Sequence, residues 1–110
     1  MLRMSVKDMY YNMLKSGLKT IELRLFDEKR KQIEVGDIIE FYNSSNANDH
    51  FPTKVIYLHR AANFEELCQK IKARQAGFDS NEDLVKTMEE YYPLEQQNKT
   101  GVVGLEIMKV

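Results

Sequence analysis

Gly17-Leu18-Lys19-Thr20-Ile21-Glu22-Leu23-Arg24 is the stretch that decides the reading of this chain. A glycine that can supply the left-handed residue after a last helical turn is followed at once by an alternating, β-branched, charged run. Side chains alternate sides on an extended strand, so Thr20, Glu22 and Arg24 share one face and Lys19, Ile21 and Leu23 share the other. Ile21 and Leu23 seek a core, while Glu22 and Arg24 stand together on the opposite face. Lys19, at the strand mouth beside the flexible glycine, can swing to either side. One carboxylate and two cations within mutual reach suit polar recognition better than packing.

Upstream, Val6, Met9, Tyr10, Met13 and Leu14 recur at spacings of three and four, which predicts an amphipathic helix over 6–16 with Ser5 as N-cap and Asp8 in its first turn. Residues 18–25 then read as a strand. Downstream comes a dense charge run, Asp27 to Lys31, and a turn of helix or loop over 32–37. Ile38 to Tyr42 is a second strand and Thr53 to Leu58 a third, ending at His59 and Arg60. Between them, residues 43–49 hold almost only Asn, Ser and Asp, so they read as an exposed loop, either irregular or a lid over a cleft. Asn63 caps a helix from 64 to about 74, with Glu66 at the capping-box position and Phe64, Leu67, Cys68 and Ile71 as its buried stripe. Ser80 caps another helix, broken at Tyr91-Tyr92-Pro93. Gly101 to Ile107 is a closing strand. Strands and helices do not alternate strictly and the connections around 36–53 are short, which favours an α+β fold: a small mixed or antiparallel barrel with peripheral helices.

With 110 residues, 43% of them hydrophobic, the chain has the length of one domain and can bury a core without staples. No apolar run approaches the ~20 residues of a membrane span. The opening Met1-Leu2-Arg3-Met4 is too short for the apolar region of a signal peptide, so a cytoplasmic location without membrane contact is expected. Cys68 is the single cysteine, which rules out an internal disulfide and a thiolate metal cluster and fits a reducing compartment. Only two histidines are present, so no metal or other cofactor is expected. The net charge of −1 hides an asymmetry: residues 1–31 carry eight Lys/Arg against four Asp/Glu, and residues 32–110 eight against thirteen. That balance excludes a strong, sequence-blind polyanion binder but leaves room for a local anion-facing patch.

The comb at 17–24 resembles the signature of the ASCH domain, a family similar in fold to the PUA domain. The resemblance continues through Asp27-Glu28-Lys29-Arg30, Val35-Gly36-Asp37-Ile38-Ile39-Glu40-Phe41, Phe64-Glu65-Glu66-Leu67, Tyr91-Tyr92 and Gly101 to Ile107, in order, to the end of the chain. It implies a single ASCH-type domain over 1–110, a PUA-like barrel whose helices close a cleft, and a role in binding RNA or another nucleic acid. Lys19, Glu22 and Arg24 match the group that lines the cleft in such relatives. A branch of similar proteins hydrolyses acylated cytidine nucleosides with a lysine, a threonine and a glutamate. Lys19 matches that lysine, but the threonine position reads Glu22, and the glutamate region reads Gln75-Ala76-Gly77-Phe78 without a carboxylate. The amino-terminal strand of such domains is short here, with only Leu2 and Met4 to supply it.

Two families of function follow. The leading one is a binding module for RNA or a nucleotide-sized ligand: Lys19, Arg24, Lys29, Arg30 and Arg60 form a positive rim for phosphates, and Glu22 with an aromatic, Tyr92, selects the base. The plain alternatives are a surface salt-bridge ladder for the comb, worth under ~1 kcal/mol, a solvated face for Asp27–Lys31, and a packed core for the tyrosines. The second function is a hydrolase acting on an acylated cytidine or on single-stranded nucleic acid, in which Lys19 is nucleophile or base and Glu22 shuttles its proton or orients it. His59 is either a satisfied, partly buried side chain or a general base, and Cys68 is inert core. A protein partner is a third option, from the coactivator setting of some similar proteins.

Overall fold

The computed structural model describes residues 2–110. Five strands, β1 (Leu2–Val6), β2 (Ile21–Leu25), β3 (Ile38–Asn43), β4 (Asn46–Ala61) and β5 (Val102–Lys109), form one mixed sheet in the order β1-β3-β4-β5-β2. Among the described residues, only β1 and β3 run parallel. The sheet curls into a half-barrel, an α+β architecture of the PUA-like kind expected from the sequence. Its two edges, β1 and β2, are never paired with each other, and that unclosed seam is where the site lies.

Four helices pack around the sheet: α1 (Asp8–Ser16), α2 (Phe64–Leu67), α3 (Asn81–Tyr91) and α4 (Leu94–Thr100). Inside the curl, Met4, Val6, Ile39, Phe41, Val55, Val103, Leu105 and Ile107 pack with Tyr11 and Leu14 of α1. On the other face of β2, Ile21, Leu23 and Leu25 pack with Phe64, Leu67, Leu84 and Met88. The alternation of the signature strand therefore sorts as anticipated, with Glu22 and Arg24 turned into the curl beside their cross-strand partners Leu105 and Val103.

Several local expectations are corrected. Ser5 does not cap α1. It is a β1 residue paired with Tyr42, and Lys7 occupies the cap position without a side-chain bond. The amino-terminal strand is five residues long, because Met4 and Val6 both reach the core. Met9 is 61% exposed, and the buried face of α1 is instead built on Tyr11, whose hydroxyl donates to Asp49 at 2.8 Å. The signature strand starts at Ile21 rather than 18.

Residues 46–49 are not a loop or a lid. They are the start of the sixteen-residue β4, which turns back on β3 at Ser44–Ser45 and carries His59 and Arg60 at its far end, as anticipated. The helix expected over 64–74 stops at Leu67. Asn63 does accept from the Glu66 N–H at 2.9 Å, but the chain then turns, and a short 3-10 segment follows at Ala73–Ala76. Ile71 still reaches the core, which an unbroken helix would not have needed the turn to do. Cys68 is half-buried, not core, and burial raises its thiol pKa. Ser80 caps α3 as anticipated, accepting from Asp83 N–H at 3.1 Å. None of the helices among the described residues is long and apolar enough to cross a membrane.

Candidate functional site

Gly17 ends α1 in the left-handed conformation (φ 87°), and the chain then crosses to β2 held by two main-chain bonds, Lys19 N–H to Met13 O at 3.0 Å and Thr20 N–H to Gln75 O at 2.9 Å. That tether aims Lys19 inward. Its aliphatic stem lies against Gly77 (φ 90°), where a Cβ would come within 3.3 Å of Lys19 Cδ. The Lys19 ammonium is 3.0 Å from Glu22 Oε1, and its side chain is only 4% exposed. It also sits 4.6 Å from the centre of the Tyr10 ring, a cation–π contact.

Glu22 Oε2 accepts from Arg24 Nε at 2.8 Å, so one buried carboxylate holds two cations. Burial works to raise its pKa, but Lys19 and Arg24, through charge and hydrogen bonds, outweigh that and hold the Glu22 carboxyl below the usual glutamate value. Arg24 then reaches across the seam and donates through Nη2 to Ser5 O at 2.6 Å, joining the two sheet edges. Its Nη1 has no partner among the described residues.

Above this triad opens a cleft of about 330 Å³. Ser5, Val6 and Lys7 line it together with Tyr10, Ser44, Phe78, Met88, Tyr91 and Tyr92. Lys7 Nζ lies 4.5 Å from the centre of the Tyr91 ring and spans the mouth. Burial, with the neighbouring Tyr91, Glu22 and Glu90, raises the Tyr10 hydroxyl pKa. The cleft combines a cationic floor, aromatic walls and little room, at the low end of the size range of small-molecule sites.

Lys19, Glu22, Arg24 and Tyr92 of the sequence-derived candidates are thus brought together. Tyr92 is half-buried with its ring stacked on Phe64, while Tyr91 is 41% exposed and lines the cleft. Lys29, Arg30 and Arg60 do not line this cleft. Arg30 pairs with Asp27 at 3.1 Å. Arg60 lies over the Phe26 ring at 4.0 Å beside a separate concavity near Gly101. His59 contacts Glu106 at 2.7 Å from β4, also outside the cleft. Sequence reasoning missed Lys7 and assigned Tyr10 only to packing. The signal lay in their position: the residues that join β1 to α1 border the comb once the sheet curls.

A family model for the ASCH domain matches residues 4–110. The chain belongs to the ASCH domain family. No curated protein matches it. Among solved structures, this ASCH chain is similar to the hypothetical protein PH0355, at 34% identity over 99% of this chain and 98% of that one, with a TM-score of 0.86. It is also similar to protein PF0455 from Pyrococcus furiosus, at 29% identity over 99% and 96% of the two chains and a TM-score of 0.76. An ASCH protein from Zymomonas mobilis shares the fold at 13% identity, covering 97% of this chain and 66% of its own, with a TM-score of 0.67.

Proposed function

We propose that the cleft binds a single unpaired nucleotide, free or within RNA. The observation that carries this is the Lys19–Glu22–Arg24 triad set at the floor of an aromatic-walled cavity. Two cations on one carboxylate leave the floor net positive, and Lys7 at the mouth adds a third cation, which suits a phosphate. Tyr10, Phe78 and Tyr91 offer ring faces on which a base can stack. Both Glu22 oxygens are occupied, so Glu22 acts by fixing the two cations. ASCH domains are PUA-like and commonly RNA-binding, which agrees with this reading. Lys29, Arg30 and Arg60 lie outside the cleft and enter only as contacts for a strand that extends beyond one nucleotide. In this reading the chain acts as a single domain of the cytoplasm and needs no cofactor.

Titration of a short fluorescent single-stranded RNA at low salt tests it. Arg24→Ala lowers the affinity at least about tenfold, the loss expected for a charge-assisted bond. Absence of binding by the unaltered protein, or equal binding by Arg24→Ala, overturns the reading.

A second reading is hydrolysis of an acylated cytidine, favoured by one observation: Lys19 is at the cleft floor and Gly77 of the 75–78 segment packs on it. That segment carries no carboxylate, and Lys19 makes the contacts of a cation rather than of a nucleophile. Turnover of acylated cytidine that Lys19→Ala abolishes would place catalysis first.

A further inference from the structure

The seam between β1 and β2 holds main-chain groups that the fold leaves without partners. In an antiparallel pair, residues alternate between those whose N–H and C=O both face the neighbour and those that face away. Two bonds fix the phase for β2 and β5: Ile107 N–H to Thr20 O at 3.0 Å and Phe26 N–H to Gly101 O at 2.9 Å. Even-numbered residues of β2 therefore face β5, and Ile21, Leu23 and Leu25 turn their main chain outward. β2 is the last strand of the sheet, so no ladder meets them there. Leu23 lines the cleft although its side chain is in the core under α3, which leaves its main chain as the part that faces the cavity.

The other wall has the same character. Val6 O accepts from Ser44 N–H at 2.8 Å, so Val6 faces β3 and Ser5 faces the seam. Arg24 takes the Ser5 carbonyl, and the Ser5 N–H has no partner among the described residues.

We infer that the seam reads the hydrogen-bonding edge of a nucleobase through the Leu23 N–H and C=O, with the Ser5 N–H facing it across the cleft. A donor and an acceptor side by side on one residue match any ring that carries an acceptor next to a donor, as every standard base does on its Watson–Crick edge. An extended peptide would also pair with a free strand edge. The Arg24–Ser5 bridge crosses the seam, however, so a short planar group fits where a strand would be blocked. This inference rests on the nucleotide reading above and gives it a recognition mechanism: selectivity for an unpaired base follows, because pairing occupies the edge that Leu23 would read.

The test is a titration of nitrogen-15-labelled protein with the four nucleoside 5′-monophosphates and with counterparts methylated on that edge: 3-methyl-UMP, N4,N4-dimethyl-CMP, N6,N6-dimethyl-AMP and 1-methyl-GMP. The Leu23 amide shifts and its hydrogen exchange slows with the parent nucleotide that binds, and the methylated form binds at least about tenfold more weakly. Replacing the Leu23 amide by an ester keeps the side chain in the core, deletes the donor while weakening the Glu22 carbonyl only toward β5, and gives a similar loss. If parent and methylated forms bind equally and the Leu23 amide does not move, while Arg24→Ala still weakens binding, edge reading is wrong and the cleft remains a nucleotide site. If no nucleotide binds, both readings fall; capture of an extended peptide on β2 in that case would replace them.

Discussion

Glu22→Gln removes the one negative charge that holds two cations inside the protein. The Glu22 and Lys19 side chains are 7% and 4% exposed, and Arg24 is 15% exposed, so little solvent is available to replace the lost carboxylate. Breaking a buried pair by removing one partner costs about 3–5 kcal/mol, because the remaining charge is left uncompensated. For a domain of this length that shifts the thermal midpoint down by roughly 10–20 °C. Urea unfolding followed by circular dichroism at pH 7 measures it. Lys19→Met should cost less, since Glu22 keeps Arg24, and Lys19→Met combined with Glu22→Gln should cost less than the two single losses added. The pH profile supplies an independent reading. The Glu22 pKa is lowered in the fold, so its contribution is complete above the unfolded glutamate value of about 4.3 and fades as pH falls below it toward the folded value. Glu22→Gln should be less stable at neutral pH and show a shallower loss below about pH 4.3. A Glu22→Gln protein within about 1 kcal/mol of the unaltered one would refute the argument that the triad is a buried, mutually dependent unit.

Gln97→Ala should cost about 2–3 kcal/mol by urea unfolding, because Gln97, 1% exposed, accepts from Phe64 N–H at 3.0 Å and donates to Tyr92 O at 2.7 Å, and its loss leaves both groups unpaired. Gly77→Ala should cost about 1–2 kcal/mol, since it forces a left-handed φ of 90° on a residue with a Cβ and crowds Lys19 Cδ; equal stability would refute both the backbone strain and the crowding. Tyr91→Ala should lower nucleotide affinity in a fluorescence titration while changing stability by less than about 1 kcal/mol. Tyr92→Ala should do the reverse, with a stability loss of about 2–3 kcal/mol from its stacking on Phe64. A swap of those two outcomes would reassign the ligand-facing ring.

Legibility in the sequence followed how local the cause was. The β2 comb was readable because a period of two puts Glu22 and Arg24 on one side whatever surrounds them, and the Ser80 and Asn63 caps were readable because each closes within three residues. Lys19 was left open by alternation, and the contacts that settle its direction include Gly77 and Gln75, more than fifty residues away. The polar run at 46–49 hid a strand because β4 continues past the sheet's covered part, where Asp49 meets Tyr11 and Lys15 of α1 instead of a core. α4 went unseen because its buried residue is a glutamine rather than an apolar side chain. The separation of Lys29, Arg30 and Arg60 from the cleft depends on how far the sheet curls, which no short window of sequence encodes.

The Arg24 bridge to Ser5 couples occupancy of the site to the fastening of the first strand. A bound anion that draws Nη2 toward itself weakens its bond to the Ser5 carbonyl, whereas one held by Nη1 alone leaves the bridge intact. For a ligand that takes Nη2, thermodynamic reciprocity makes the effect mutual: peeling the amino-terminal residues away frees that group for the ligand, and binding through it loosens those residues. A protein or peptide extension fused ahead of residue 2 would thereby act as a tuning handle on affinity without touching the cavity.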